Sequence, residues 1–241
     1  MELAGMSGAS NCGSASSSII AVPTKELNPI RTLSKSRGVF EELRQAICSG
    51  DLAPGTPLRE AHIAKQLNVS QVPVREALLQ LEHLGLVVRV QDRGTTVTKL
   101  TRREIQQMME VRRHLEVMAF HLAAEHLTDD VVLELKRHLR RMQEMVADGD
   151  HFAVAEEDFA FHRTVWRASG NEVLEQTLER LCVAMYAFVS LKRAAAGETL
   201  KSAVKSHRKL LEDLLSRDEK RITAAVNEHI SSTTIPDTVA D

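Results

Sequence analysis

The apolar positions of residues 33–50 recur with the period of a helix. They are Val39, Phe40, Leu43, Ile47 and Cys48. The following "SGDLAPG" contains the Gly and Pro residues that end helices, and "REAHIAKQL" predicts a short second helix after it.

The next segment, "NVSQVPVREALLQLEHLG", predicts a third short helix. Ser70 is placed to cap its N-terminus, Pro73 falls in its first turn, and Gly85 follows its last turn. The apolar stripe of this helix consists of Val74, Leu78, Leu81 and Leu84.

After Gly85 the pattern changes to β-branched runs. "LVVRV" and "TTVTKL" are separated by "QDRG", which is typical of a small hairpin whose turn is closed by Gly94. Three short helices followed by a two-stranded ribbon predict a winged helix-turn-helix domain over residues 34–100.

The rest of the chain is predicted to be helical. Thr101 and Glu104 form a capping-box pattern that opens a long helix, Thr128 and Asp150 are placed to cap the next two, and "SGN" at 169–171 ends the third. Further helices are predicted over about 172–195, 198–216 and 218–231. The expected fold is mainly α: a winged helix-turn-helix followed by an all-α bundle over residues 101–231.

The formal net charge of the 241 residues is −2, but it is unevenly distributed. Residues 31–100 hold 10 Lys and Arg against 7 Asp and Glu, a net charge of +3, whereas residues 101–241 hold 20 against 24, a net charge of −4. The basic segment is therefore the better candidate to bind a polyanion, although this signal is weak alone.

Cysteine usage and hydropathy exclude several classes of protein. The three cysteines, Cys12, Cys48 and Cys182, have no close spacing, so neither a disulfide framework nor a thiolate zinc site is predicted. No signal-peptide pattern occurs, and no apolar run approaches the ~20 residues of a membrane span. We expect a cytoplasmic protein with flexible tails at residues 1–33 and 232–241.

A helix-turn-helix reads DNA with the first residues of its second helix. Gln71, Val72 and Arg75 lie in that position after Ser70. Gln71 suits the N6/N7 edge of adenine, and Arg75 suits either guanine or a phosphate, unless it belongs only to a solvated helix face. The other residues expected at phosphates, in the minor groove or in the wing turn are Arg59, Lys65, Arg93 and Gly94.

Residues 38–97 resemble the N-terminal DNA-binding domain of the GntR family of bacterial transcription regulators. The resemblance rests on "LRQAICSGDLAPGTPLREAHIAKQLNVSQVPVREALLQLEHLGLVVRVQDRGTTV", in which several spaced motifs follow one another in the family's order. One position departs from the family pattern, which commonly has Arg or Lys after the capping Ser where this chain has Gln71. We therefore predict a preference for adenine at that base step.

A second candidate site lies in the predicted bundle. Asp158 and His162 are four positions apart, so they share one helix face and can chelate one ion. His207 and His229 neighbour apolar residues and can also point inward. One carboxylate and three imidazoles suit Zn²⁺, Ni²⁺, Mn²⁺ or Fe²⁺, and the alternative is an Asp–His hydrogen bond at a helix interface.

Residues 101–231 resemble the FCD-type ligand-binding domain of the FadR-like branch of the same family. "MEVRRHLEVMAFHLAAEH" is similar to its first helix, and "DFAFHRTVWRASGN" followed by two spaced histidines is similar to its metal motif. The resemblance implies a divalent metal held by Asp158, His162, His207 and His229. Phe159 and Phe161 are then interpreted as packing that excludes water from the site.

A metal ion with vacant positions can hold the carboxylate of a small organic acid. Arg112 can pair with a second carboxylate of that acid, or it can form an i,i+4 salt bridge with Glu116. Tyr186 is a candidate for the pocket lining, whereas Trp166 is expected in the core.

The leading hypothesis is a ligand-responsive transcription regulator that binds a palindromic operator as a homodimer. A metal-dependent hydrolase or lyase is the alternative from another class, but Glu157 lies on a different helix face from Asp158, and no G-x-S-x-G motif occurs. A third hypothesis, an architectural DNA-binding protein without an effector, leaves the Asp–His pattern unexplained.

Overall fold

The computed structural model describes residues 33–90, 94–195 and 201–232. Its N-terminal part contains α1 (Leu33–Ser49), α2 (Glu60–Gln66) and α3 (Gln71–His83). These are the three predicted short helices. The predicted tails up to residue 32 and from residue 233, and the predicted wing residue Arg93, lie outside the described residues.

A small antiparallel sheet accompanies these helices. It consists of β1 (Pro57–Leu58), β2 (Val87–Val90) and β3 (Gly94–Val97), in the order β1-β3-β2. β2 and β3 form the predicted hairpin, with Val87 opposite Val97. β1 was not predicted, because two residues that include a proline carry no strand period and this strand exists only through its pairing with β3.

The winged part has its own buried core. Val74, Ala77, Leu78 and Leu81 of α3 are almost completely buried, as the predicted stripe requires, although Leu84 is only partly buried. Helix α3 is thereby held in place by one face, and its other face is left exposed.

The remaining helices form the bundle. They are α4 (Arg102–Glu125), α5 (Asp129–Asp148), α6 (His151–Ala168), α7 (Glu172–Ala195), α8 (Lys201–Ser216) and α9 (Glu219–Ser231). The predicted caps are present: Thr101 and Glu104 form a capping box, Thr128 accepts from the Val131 amide, and Asp150 accepts from the Ala153 amide. This architecture confirms the expected fold class.

Helix α6 occupies a central position in the bundle, because it packs against α4, α5 and α7. Its residues Phe161 and Trp166 are fully buried, and Trp166 thus has the core position expected for it. Helices α8 and α9 pack against each other and against α4. Among the described helices, none has the length and apolar content needed to cross a membrane.

The winged part and the bundle are in direct contact. Ala184 of α7 is buried within the core of the winged part, and Val183 and Ala187 pack beside it. Arg44 of α1 also forms an ion pair of 3.1 Å with Glu156 of α6. Helices α6 and α7 are therefore the physical connection between the two parts.

Candidate metal site and DNA-reading surface

Three histidines from three helices converge in the bundle. His162 of α6, His207 of α8 and His229 of α9 are all buried, and their nearest ring nitrogens lie within 4.8 Å of one another. The Nε2 atoms of His162 and His229 are 3.1 Å apart. The structure thus brings together the three imidazoles that the sequence pattern proposed.

Asp158 completes this group from the preceding turn of α6. Its Oδ1 atom lies 3.3 Å from Nε2 of His207 and 3.7 Å from Nε2 of His162. Oδ1 of Asp158 and Nε2 of His207 are buried, and neither makes a hydrogen bond of regular geometry to a described residue. Buried polar atoms of this kind require a partner.

The outer nitrogen of each imidazole is occupied, which fixes the direction of the inner one. Nδ1 of His207 donates to the Ala203 carbonyl at 2.8 Å, and Nδ1 of His162 lies 3.0 Å from a carboxylate oxygen of Glu116. Nδ1 of His229 lies 3.2 Å from the Ser206 hydroxyl, which itself donates to the Ala203 carbonyl at 3.0 Å. The rings of His162 and His207 therefore carry the proton on Nδ1 and present the Nε2 lone pair inward, and His229 also directs its Nε2 atom inward.

This donor set fits a divalent metal ion. Three inward Nε2 atoms and a carboxylate oxygen are ligands suited to zinc and to the neighbouring transition metals, and outer hydrogen bonds to carboxylate, carbonyl or hydroxyl groups are the usual way of orienting ligating histidines. The Nε2 atoms of His162 and His229 are at hydrogen-bond distance from each other, and a bound cation would replace that hydrogen bond with two ligand bonds.

Arg112 and Glu116 of α4 contact the histidine cluster through His162. Nε of Arg112 donates to Glu116 at 2.9 Å, and both side chains are buried, so the i,i+4 salt bridge that was one of the two alternatives for Arg112 is present. Nη2 of Arg112 also donates to the Tyr186 hydroxyl at 2.6 Å and lies 3.3 Å from Nε2 of His162. Arg112 therefore combines a structural pairing with a position at the site.

Both carboxylates remain charged despite their surroundings. Burial raises the pKa of Glu116, but His162 and Arg112 outweigh it and lower this pKa to about 2. Burial likewise raises the pKa of Asp158, whereas the facing imidazoles, chiefly that of His207, lower it well below its usual range. The site therefore offers negative charge at the point where the imidazoles converge.

A cavity of about 130 Å³ opens beside these residues. Its polar wall includes Arg112, Asp158, Tyr186, His207 and His229, in line with the expected lining role of Tyr186. Its apolar wall includes Ile105, Met109, Val154, Met185 and Val189. The combination of a few convergent polar groups with an apolar wall is typical of a small-molecule site.

Aromatic rings pack around the imidazoles as the sequence suggested. The ring of Phe161 is edge-on to His162 at 5.8 Å and to His207 at 5.1 Å. The ring of Phe159 packs edge-on against Tyr186 at 5.3 Å and Trp166 at 5.6 Å. These contacts restrict the histidine side chains and exclude water from one side of the site.

The sequence did not reveal the outer partners of the histidines. Ser206 precedes His207 directly, and a Ser–His pair is too common to be a signal. The i,i+4 spacing of Arg112 and Glu116 indicated their salt bridge, but not the contact of Glu116 with His162, which lies 46 residues away.

The predicted DNA-reading residues lie on an exposed surface. Ser70, Gln71 and Val72 are exposed at the start of α3, although the Ser70 side chain makes no capping hydrogen bond. Nε and Nη2 of Arg75 donate to the Glu60 carboxylate of α2 at 3.1 and 2.8 Å. The other predicted residues that the structure describes, Arg59, Lys65 and Gly94, are also exposed.

Comparisons with known proteins agree with both halves of this description. The family model of bacterial regulatory proteins of the gntR family matches residues 35–97, and the FCD domain model matches residues 107–232. The chain is 31% identical to the probable D-xylose utilization operon transcriptional repressor of Paenarthrobacter nicotinovorans, covering 77% of this chain and 81% of that protein. It is 34% identical to the gluconate operon transcriptional repressor of Bacillus subtilis (strain 168), covering 68% and 69%.

A solved structure has the same fold. The E. coli McbR/YncC structure superposes with a TM-score of 0.72 at 26% identity, covering 82% of this chain and 94% of that one. The matched families and relatives are regulators, which confirms that the chain is not a hydrolase or lyase.

Proposed function

The chain belongs to the gntR family of bacterial regulatory proteins and carries an FCD domain, so it is a transcription regulator; from this premise we propose that a small carboxylate effector, bound at a metal ion in the bundle, controls its affinity for operator DNA. The observation that carries the proposal is the convergence of three imidazoles and the unpartnered Asp158 oxygen beside a cavity.

The proposed metal ligands are Asp158, His162, His207 and His229. Four ligands leave positions open on an ion that takes five or six, and an ion of the zinc, nickel, manganese or iron type would supply Lewis-acid binding of a carboxylate there. Asp158 keeps a fifth of its side chain exposed although Oδ1 is buried, so the carboxylate reaches both the imidazoles and the cavity.

Arg112 and Tyr186 form the proposed second contact for the effector. Both line the cavity, and the Arg112 guanidinium is already held in place by Glu116. A cation that is fixed before binding loses little conformational entropy when it pairs with a carboxylate. The relatives named for D-xylose utilization and gluconate operons support a small, oxygen-rich effector.

The DNA-reading surface supports operator binding through α3. Gln71 and Arg75 are proposed to contact bases, and Arg59, Lys65 and the wing are proposed to contact phosphates. One short helix reads only a few base pairs, so we propose a homodimer that reads two halves of a palindromic operator.

Helix α7 provides a route between the two sites. Its residues Met185, Tyr186 and Val189 line the cavity, whereas Ala184 is buried in the core of the winged part. An effector that contacts the cavity face of α7 and favours one position of this helix also favours one position of α3, the proposed DNA-recognition helix. Such differential contact is what an allosteric coupling requires.

The test measures metal content and operator binding of the purified protein. DNA from the promoter neighbourhood of its gene is titrated with and without candidate carboxylates, and metal is determined by elemental analysis. We expect His207→Ala to lose most of the metal and the effector response, whereas His114→Ala, at an exposed position on α4, keeps both. Full metal content and an unchanged response in His207→Ala would contradict the ligand assignment.

A further inference from the structure

Helix α6 lines the cavity over two full turns. The four residues concerned are His151, Val154, Ala155 and Asp158. Their spacing of i, i+3, i+4 and i+7 places them on one helix face, and at 1.5 Å per residue the first and last are about 10 Å apart along the axis. The cavity wall on this side therefore begins at a histidine, passes over two apolar residues and ends at the proposed metal site.

The His151 end of this wall contains a polar atom without a partner. Nδ1 of His151 is buried and makes no hydrogen bond to any described residue. The Ser190 hydroxyl, which also lines the cavity, donates to the His151 carbonyl at 3.4 Å, so a second polar group lies at the same end. A buried nitrogen facing a cavity is satisfied by water or by a ligand.

The opposite end of the wall holds the charged groups. Arg112, Asp158 and the histidines form one polar region there, and Val154 and Ala155 separate it from His151. A carboxylate alone occupies only the charged end and leaves Nδ1 of His151 without a ligand contact. A molecule with polar groups at both ends satisfies both regions at once.

We propose that His151 is a second anchoring point of the cavity and that the effector is a hydroxy acid, with its carboxylate at the metal and Arg112 end and a hydroxyl at His151. This inference rests on the proposed function of the metal site. A span of about 10 Å, less a hydrogen-bond distance of about 3 Å at each end, leaves about 4 to 5 Å between the two polar ends of the ligand, which corresponds to an extended chain of roughly three or four carbons. The cavity volume of about 130 Å³ suits a molecule of this size.

The test uses three acids as probes: butanoate, 4-hydroxybutanoate and threonate. Each is titrated calorimetrically into metal-loaded protein. We expect the wild type to bind 4-hydroxybutanoate about tenfold more tightly than butanoate, since one added hydrogen bond to a buried group has about that effect. Threonate, which carries a hydroxyl on every carbon beyond its carboxylate, reports whether further hydroxyls strengthen binding.

Two variants isolate the role of His151. His151→Ala is expected to remove the preference for the hydroxylated acids and to leave the Kd of butanoate unchanged. His151→Asn is expected to restore the preference, because its amide places a hydrogen-bonding atom close to the position of Nδ1. Metal content and melting temperature, measured for both variants, verify that the metal site and the fold are intact.

The outcomes separate this inference from the proposed function. If the wild type binds butanoate and 4-hydroxybutanoate equally, or if His151→Ala keeps the preference, His151 binds only water and the inference is wrong, while carboxylate binding at the metal stands. If no probe binds, or if binding is the same after the metal is removed, the proposed function fails and the inference fails with it.

Discussion

At the scale of the residue, the orientation of the imidazoles is the feature on which the site depends. His229 is directed inward by a contact between its Nδ1 atom and the Ser206 hydroxyl. The same hydroxyl is itself held by the Ala203 carbonyl, which lies 3.0 Å away. A serine that ligates nothing therefore determines which nitrogen of His229 is available for a metal.

We expect Ser206→Ala to weaken metal binding by about tenfold, in the lower part of the range found when such outer partners are removed. All four proposed ligands remain in this variant, so the loss measures orientation alone. Competition with a chromophoric chelator gives the metal affinity. Ser202→Ala, on the same helix and cavity wall, is the matched control, and an equal loss in both variants would argue against the orienting role.

The second residue-scale feature is the carboxylate that holds Arg75. Glu60 accepts from Nε and Nη2 of Arg75, which leaves the Nη1 edge of the guanidinium directed away from the ion pair. A guanidinium held on one edge by a carboxylate presents its other edge in a fixed direction, as bidentate recognition of a guanine requires. Glu60 is thus expected to position Arg75 without touching DNA.

We expect Arg75→Ala to reduce operator affinity by about tenfold or more, on the order of 1–3 kcal/mol for a bidentate base contact. Glu60→Gln is expected to cause a smaller loss but to broaden the base preference at the position that Arg75 reads. Operator selection from a randomised pool measures that preference, with Glu76→Gln as the exposed control on α3. An unaltered preference in Glu60→Gln would show that Arg75 needs no positioning.

At the scale of the element, the sequence predicted most of the helices, because their ends are determined by local chemistry. The hydrogen bonds that cap α4, α5 and α6 join residues three positions apart, so a short pattern contains the whole interaction. β1 was not predicted, because it depends on a distant interaction: its partner β3 is almost 40 positions away. Ser70 shows that a capping residue type does not ensure a capping bond.

The two caps make a paired prediction about stability. Thr101 accepts from the Glu104 amide at 3.2 Å, and a Glu104 carboxylate oxygen accepts from the Thr101 amide at 2.8 Å. We expect Thr101→Ala to lower the free energy of unfolding by about 1 kcal/mol, whereas Ser70→Ala changes it by less than about 0.5 kcal/mol because no side-chain bond is lost. Urea unfolding of both variants measures the difference, and equal losses would contradict it.

The Glu104 part of this cap also depends on pH. The hydrogen bond from the Thr101 amide lowers the pKa of Glu104 in the folded chain. A carboxylate with a lowered folded pKa contributes its stability above the unfolded pKa and loses it as the pH falls through the folded one. The Thr101 hydroxyl, which donates to the same Glu104 oxygen at 2.8 Å, lowers this pKa as well. Thr101→Ala removes the hydroxyl, so the difference in free energy of unfolding between this variant and the wild type should diminish in acid.

At the scale of the whole molecule, the convergence of the ligands was beyond what spacing could determine. The four-residue step from Asp158 to His162 follows from helix geometry, but His229 lies 67 positions beyond His162. Whether such residues meet depends on how α8 and α9 pack against α4 and α6. The resemblance to a known family proposed the set, and local pattern alone left an Asp–His hydrogen bond as an equal alternative.

The contact between the winged part and α7 gives the last prediction. Gly50, at the end of α1, has a φ of +89°, and a Cβ placed there would lie 2.6 Å from Cδ2 of Leu191 on α7. Gly55 has a similar φ of +86°, but a Cβ there meets nothing within 4 Å among the described atoms. Alanine at either position strains the backbone by about 1 kcal/mol, and only alanine at Gly50 also pushes against α7.

We expect Gly50→Ala to change the ratio of operator affinities with and without effector by about fivefold, which corresponds to about 1 kcal/mol of coupling, while Gly55→Ala keeps the wild-type ratio. Fluorescence anisotropy with labelled operator, using the tightest-binding of the three acids, measures that ratio. Backbone strain is common to both variants, so a difference between them reports the contact with α7. If both ratios stay at the wild-type value, the signal between the cavity and the recognition helix does not pass through this face of α7.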